Sequence, residues 1–347
     1  MHFGWMSLAL SPMPDDDYAR LQDELQQGVL AERLGFDYLW LTEHNFTGGC
    51  VYGDPIPFAA ALAMQTQRAK IGLAVVQMAL NHPVRLAVQL AQLDNLCQGR
   101  LLVDIGRGST YNEYEYLAFG IRSDDSKARM DEGLEVLIGA WTQQPFVYQG
   151  KYFQVQVPSI RPRPYQQPHP PIWRSAITPA SFIECGREGI PIMMSRVPLN
   201  AIRQRLSLYQ EGLTAGGHTE QRQRELLRQA SLWRIVYVAA SDSQAEDDVW
   251  EATMSYREYL QHGRTTYNPR GFQFNPAALS PWSNPDTPDE EAVRYLLQTG
   301  TLYGGPTRVA EQVAALRGVG VHNIMCQMNW GGLSHDRVTA SMQRFGE

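Results

Sequence analysis

The stretch GFDYLWLTEHNFT, residues 35–47, starts on a glycine, continues as the apolar run Phe36–Leu41 and turns polar at Glu43, His44 and Asn45. A short run of this composition, bounded by glycine, reads as a buried strand over Phe36–Thr42. An acid, an imidazole and an amide then stand in a row where that strand has just run out. A lone histidine in such a place is ordinarily structural. Its meaning depends on what stands at the ends of the other strands.

Before this stretch, Phe3–Leu10 reads as a strand, and Tyr18, Leu21, Leu25 and Val29 recur at helical spacing, ending near Gly35. The same alternation continues after it. Helix is expected over Phe58–Met64, strand over Ile71–Met78, helix from Pro83 to Gly99 and strand over Arg100–Ile105. Met130, Leu134, Leu137, Ile138 and Trp141 mark a further helix, and Phe146–Val155 reads as a hairpin turning at Gln149-Gly150. Strands over Pro171–Ser175, Ile190–Ser195, Leu232–Ala239 and Val321–Gln327 then alternate with helices over Ala180–Gly189, Leu199–Ala215, Ser241–Gln261, Thr307–Arg317 and His335–Phe345.

About eight buried strands alternating with helices imply parallel βαβ units, because parallel neighbours need a helical crossover. In 347 residues this predicts an α/β fold, a single (β/α)8 TIM barrel over 1–347, with a doubly wound open sheet as the alternative. No GxGxxG follows the first strand, which speaks against the dinucleotide-binding open sheet. One stretch breaks the pattern. Gly263–Pro288 carries five prolines and two glycines with little periodicity, and is expected to be an irregular insertion acting as a mobile lid.

Composition narrows the function. The chain is 44% hydrophobic and 19% charged, with a net charge of -6. That balance, without a block of Lys or Arg, argues against a nucleic-acid face and against anionic lipid. The opening MHFGWMSLAL is too short to span a membrane and lacks the basic flank and cleavage site of a signal peptide. Cys50, Cys97, Cys185 and Cys326 form no CxxC, and the eight histidines form neither HxH nor HExxH. No metal site and a cytoplasmic location with reduced thiols are therefore expected.

In a barrel the chemistry gathers at the C-terminal ends of the strands. The second strand ends at Glu43-His44-Asn45, the third runs into Gln77 through His82, the fourth into Gly106-Arg107-Gly108-Ser109 and the fifth into Ser175 to Ser181. Gly106 and Gly108 let backbone approach a ligand, and Arg107 suits phosphate. Thr178 and Ser181 flank Pro179 at a helix start, where free N–H groups and the helix dipole favour an anion; the plainer reading of this TPAS is an N-cap. Together with Arg107 it favours a phosphate-bearing cofactor.

These same residues carry a resemblance. GFDYLWLTEHNFT, NHPVRLAVQLAQLDNLCQGR, DIGRGS and the terminal GGLSHDRVTASMQRF are similar to the bacterial luciferase-like flavin monooxygenases, over nearly the whole chain. RGFQFN (270–275) resembles a segment of the luciferase active-site loop. The resemblance implies a (β/α)8 barrel that takes FMN, as FMNH2, from a separate NAD(P)H:flavin reductase. It further implies oxygenation of an apolar carbonyl or natural-product-like small molecule with O2 through a flavin C4a-peroxide. Two other readings keep the fold: an F420-dependent oxidoreductase, and a non-catalytic flavin-binding partner subunit. A homodimer is a further expectation from the family.

Position by position, His44 matches the family's catalytic histidine, and Glu43 orients that histidine or braces the backbone. Asn45 stands where luciferase has a second histidine. Ala74-Val75 match a dipeptide whose peptide bond is often cis and packs under the flavin ring. Arg107, Thr178 and Ser181 match phosphate contacts, with Lys127 or Arg129 as possible supplements, and Tyr111 is a ring or substrate contact. Gly106 replaces the reactive cysteine of luciferase, which is expected to open space beside the flavin and sets a long-chain aldehyde preference in doubt. On this reading His44 is a general acid or base, because imidazole titrates near neutrality.

Overall fold

The computed structural model describes residues 1–273 and 279–347. In chain order the elements are β1 (His2–Ser7), α1 (Asp17–Arg33), β2 (Tyr38–Leu41), α2 (Pro55–Gln65), β3 (Lys70–Gln77), α3 (Pro83–Leu96), β4 (Leu101–Gly106), α4 (Glu113–Ala118) and α5 (Ser126–Thr142). A hairpin of β5 (Phe146–Gln149) and β6 (Gln154–Val157) follows, then β7 (Ile172–Ala176), α6 (Pro179–Glu188), β8 (Ile192–Met194), α7 (Leu199–Ala215) and α8 (Glu220–Gln229). The chain ends with β9 (Ser231–Val238), α9 (Asp242–Tyr267), α10 (Asp289–Gly300), β10 (Thr301–Gly304), α11 (Pro306–Gly318), β11 (Asn323–Gln327) and α12 (His335–Gly346).

The strands pair in the order β9-β11-β1-β2-β3-β4-β7-β8, and β8 pairs back onto β9. All of these pairings are parallel. The result is the closed eight-stranded (β/α)8 barrel expected from the alternation, with the helices around it. Strands covered on both faces need apolar side chains on both, and β2 obeys: Leu39, Trp40 and Leu41 are each 0% exposed.

Trp40 points into the lumen, and the sequence makes room for it. Its partners in register are Met6 on β1 and Gly72 on β3. A β-carbon at Gly72 would lie 2.0 Å from the Trp40 ring, and one at Gly4 would lie 2.5 Å away. The ring stacks on Tyr38 at 5.5 Å and meets Trp173 of β7 edge-on at 5.4 Å. Since β3 and β4 separate β2 from β7, that contact crosses the lumen. These aromatic side chains fill the interior below the strand ends, so a ligand has room at the mouth.

The alternation did not reveal α4, α8, α10 or β10. Six-residue α4 is too short to show a period, and α8 buries a single side chain, Leu226. Strand β10 lies outside the ring. Three-residue β8 ends at Met194, paired with Leu232, and β10 takes the upper half of the same edge, Thr301 opposite Ile235 through Gly304 opposite Val238.

The late insertion begins later than expected. Helix α9 runs 26 residues, through Tyr267, so the first five residues of 263–288 are helical and Gly263 is buried. A face carrying Tyr256, Arg257 and Gly263 packs inward, a pattern hidden by the polar residues around it. The far end of the segment is tied down. Buried Arg257 donates from Nη1 to the Trp282 carbonyl, from Nη2 to the carbonyls of Asn284 (2.7 Å) and Thr287 (3.1 Å), and pairs through Nε with Asp289 at 3.0 Å. Of the RGFQFN stretch, Phe274 and Asn275 lie outside the described residues.

Candidate active site

His44 follows β2 at the mouth. Its Nδ1 lies 3.3 Å from Oε1 of Glu115, a carboxylate with 1% of its side chain exposed, while the imidazole is 35% exposed. Because a carboxylate only accepts, Nδ1–H donates and Nε2 faces outward. Glu115, in α4, is fixed by two amides: Asn112 Nδ2 donates to Oε1 at 2.8 Å and Gln77 Nε2 to Oε2 at 3.0 Å. Burial works against ionising both members. It is outweighed by their own hydrogen bond and mutual attraction, which raise His44 above the usual imidazole range. The same interactions, with Gln77 and Asn112, hold Glu115 below the usual carboxylate range. The arrangement favours the protonated form of the imidazole at the barrel mouth.

Glu115 is thus the residue that orients the histidine, 71 positions away in the chain. Glu43, which the sequence offered for that role or as a backbone brace, takes the second. Its Oε2 accepts from Gln77 N at 2.8 Å, and its backbone carbonyl accepts from Gln77 Nε2 at 2.7 Å. Burial, 9% exposed, pushes its carboxyl up to about 7. Gln77 therefore bridges both acids and ties the end of β3 to the end of β2. Asn45 does not join this network, and its Nδ2 is buried without a partner among the described residues.

The Ala74–Val75 peptide is cis, in β3, where the register against β4 slips between Ala74 and Val76. Gly106 of β4 stands just beyond the slip, paired with Gln77. The space expected beside Gly106 is not open: a β-carbon there would lie 2.8 Å from Cγ2 of Val75. Val75 fills the place a cysteine would take. Gly108 is glycine for two reasons, a φ of +96° and a Gln77 Oε1 that would be 2.4 Å from any β-carbon. Tyr116 holds the turn between them, donating to the Arg107 carbonyl at 2.8 Å, and leaves the Arg107 side chain exposed.

β7 is the neighbour of β4, with Ile105 opposite Arg174, so Arg107 and the start of α6 lie at adjacent strand ends. Thr178 and Ser181 form a reciprocal capping box: Ser181 N donates to Thr178 Oγ1 at 3.3 Å and Thr178 N to Ser181 Oγ at 3.1 Å. As they stand, the two hydroxyls serve the helix end. Neither suggested supplement faces this place freely, since Lys127 pairs with Asp131 at 2.6 Å and Arg129 donates to the Ala79 carbonyl at 3.2 Å. Tyr111 lies under Arg264 of α9, 5.3 Å from the guanidinium to the ring centroid. Asn268, just past α9, accepts from Tyr114 N at 3.3 Å and donates to the Tyr111 carbonyl at 2.9 Å. The helix end is thereby fastened to the turn that carries Arg107 and Glu115.

Sequence reasoning missed Glu115, Asn112 and Arg264. The acid in NEYEYLAFG follows GRGS closely enough that a loop-borne partner for His44 could have been sought there. Arg264 lay inside what read as loop. All four cysteines are free and buried, and no helix among the described residues is long and apolar enough to cross a membrane.

Known proteins share this fold at several distances. A monooxygenase structure from Streptomyces bottropensis aligns over 100% of this chain and 98% of its own, with 26% identity and a TM-score of 0.83. The oxygenase component of a flavin-dependent trigonelline monooxygenase from Acinetobacter baylyi is 25% identical over 334 residues, 94% of this chain and 88% of that protein. The fold is also that of the oxygenating constituent of 3,6-diketocamphane monooxygenase from Pseudomonas putida, solved with FMN, at 18% identity and a TM-score of 0.77 over 100% and 97% of the two chains. The model of the luciferase-like monooxygenases matches residues 1–323, and the chain belongs to that family.

Proposed function

We propose that this chain is the oxygenase component of a two-component monooxygenase, using FMNH2 from a separate NAD(P)H:flavin reductase and O2 to oxygenate a small organic molecule. The observation that carries the reading is the His44 imidazole set 3.3 Å from buried Glu115, itself fixed by Asn112 and Gln77, at the open end of the barrel. The residues fit a flavin. Ala74-Val75 and the glycines Gly106 and Gly108 would hold its ring, and Arg107 with the N-terminus of α6 would hold its phosphate, where dipole and guanidinium would act together. When bound, reduced flavin supplies the electrons that activate O2.

The chain's own part is proton management and enclosure. His44 presents Nε2–H to whatever stands over the mouth and gives up that proton where negative charge develops, while Nδ1–H stays with Glu115. A donor matched to neutral pH is the efficient one. Glu43 and Gln77 keep the strand ends in register under it, and the aromatic interior holds bulk water back. We assign the lid role to the described residues 269–273, which follow the Asn268 anchor.

The test is binding and turnover of the purified chain with FMN, FMNH2 and F420 side by side. FMNH2 should bind more tightly than FMN, and product should appear when reductase, NAD(P)H and O2 are all supplied. Sustained NAD(P)H oxidation with product formation by the chain alone, or turnover with reduced F420, would overturn the proposal.

A further inference from the structure

Three arginines, Arg196 just past β8, Arg234 within β9 and Arg205 on α7, have no acid against them. Arg234 is 3% exposed and spends Nη2 on the Val197 carbonyl at 2.6 Å and Nη1 on the Trp233 carbonyl at 3.0 Å. Arg205 reaches Ser195 Oγ at 3.5 Å and lies over the Phe182 ring. Arg196 lies over the Trp233 ring, 4.0 Å from its centroid, and its Nη1 is buried with no hydrogen-bond partner. The contrast is with Arg174, paired with Glu184 and Glu188, and Arg257, paired with Asp289. Among the described residues, no ion pair involves Arg196, Arg205 or Arg234. Burial first, then the charges of Arg196 and Arg205, bring Arg234 down to about 9. Buried charge normally comes with an opposite charge; here Arg196 has the Tyr256 side chain as a hydrogen-bond partner, but no acid faces it.

The place is as telling as the charge. Trp233 pairs with Met325 and Met325 with Gly4, which faces Trp40, so the Trp233 ring is turned to the lumen. Its Nε1 donates to Gln327 Oε1 at 3.1 Å. Arg196 follows the last residue of β8 by two positions, at the mouth. In the order of the ring, β8 is the fourth strand from β2 in either direction, so Arg196 stands on the wall opposite His44. A guanidinium lying over an aromatic ring keeps its in-plane N–H groups for a planar, two-oxygen acceptor.

We propose that Arg196 binds an oxyanion carried by the organic substrate at the end remote from His44, with a carboxylate the best geometric match. The proposed flavin phosphate site has Arg107 after β4 and the N-terminus of α6 after β7, which leaves Arg196 for the substrate. The inference rests on the proposed function only for what happens at the substrate's other end.

The first arm of the test needs neither flavin nor turnover. The purified chain is titrated with benzoate and with neutral benzamide, following tryptophan fluorescence and the thermal midpoint. Benzoate should saturate and benzamide should not. Arg196→Met should raise the benzoate dissociation constant about tenfold or more, as for loss of a hydrogen bond to a charged group. Arg196→Lys, which keeps charge but loses the fork, should weaken it several-fold and decides the matter if the Met variant does not fold. Equal responses to benzoate and benzamide, or unchanged benzoate binding in a folded variant, overturn the proposal. The second arm compares reduced FMN with reduced riboflavin. An Arg196→Met protein that loses affinity for FMN but not for riboflavin would assign these arginines to the flavin phosphate and overturn the substrate assignment. Benzoate binding through Arg196 without any flavin-dependent turnover would support the anion site while removing the monooxygenase reading.

Discussion

His44 and Glu115 make the most exacting claim at the scale of single residues. If the imidazolium delivers a proton during oxygenation, His44→Ala should leave the fold and flavin binding intact. It should slow product formation about 10²–10⁴-fold, the range for a lost general acid. The measurement is product formed per flavin reoxidised; wild-type coupling and rate would reduce His44 to a strand-end histidine. Glu115→Gln makes a finer cut. It keeps the hydrogen-bonding shape but removes the charge that raises His44, so the alkaline limb of the kcat–pH profile should move to lower pH. An unmoved limb would mean that Glu115 does not control the proton. The sign for stability follows from the same shifts. His44, raised, contributes stability below its ordinary value of 6.5 and loses it as pH climbs through its folded value. Glu115, lowered, contributes above its ordinary 4.5 and loses it as pH falls through its folded value. The pair therefore supports the fold most between those limits. His44 was legible in the sequence because a strand end announces itself by the apolar run before it. Glu115 was not, because nothing local marks which acid of a six-residue helix will be turned inward, and the contact is long-range.

At the scale of elements, α9 joins two otherwise separate regions. Arg257 closes the late segment by donating to three backbone carbonyls and one carboxylate. Arg257→Leu would leave those buried acceptors unsatisfied, and about 3 kcal/mol of stability should be lost. Chemical denaturation reads this directly, with a loss below about 1 kcal/mol showing that the carbonyls find water instead. Between the two anchors, exposed Arg270 offers trypsin a site. Cleavage there should slow when reduced flavin and substrate are bound; equal rates in both states would leave the lid assignment without support. The boundaries of this region were the least legible part of the chain. Proline counts located the irregular stretch, but α9 enters it and α10 follows it, both held by tertiary contacts that composition does not record.

The whole molecule was legible from one regularity. Short apolar runs alternating with helices gave the number of strands, their parallel pairing and the closure of the ring, and from that the face on which to look for chemistry. The lumen packing was hidden, because the glycines that admit Trp40 come from strands on either side of it in space and far from it in sequence. Gly72→Ala tests that packing. A β-carbon 2.0 Å from a fully buried indole has no room, and the variant should lose about 3 kcal/mol or fail to fold. A near-wild-type melting temperature would show that the ring can shift.

The tryptophans inside the barrel have a consequence for traffic. They give the vessel a floor, so under the proposed function flavin, oxygen, substrate and product share the doorway at the strand ends. With a single doorway, order of arrival becomes part of the chemistry: whatever enters second shuts in what entered first. A substrate that arrives before the flavin bars its entry, and one that arrives after it keeps the activated cofactor from leaving. Under the proposed function, the timing of the two visits, set by the reductase that would deliver the flavin, decides whether electrons reach product or are wasted on oxygen.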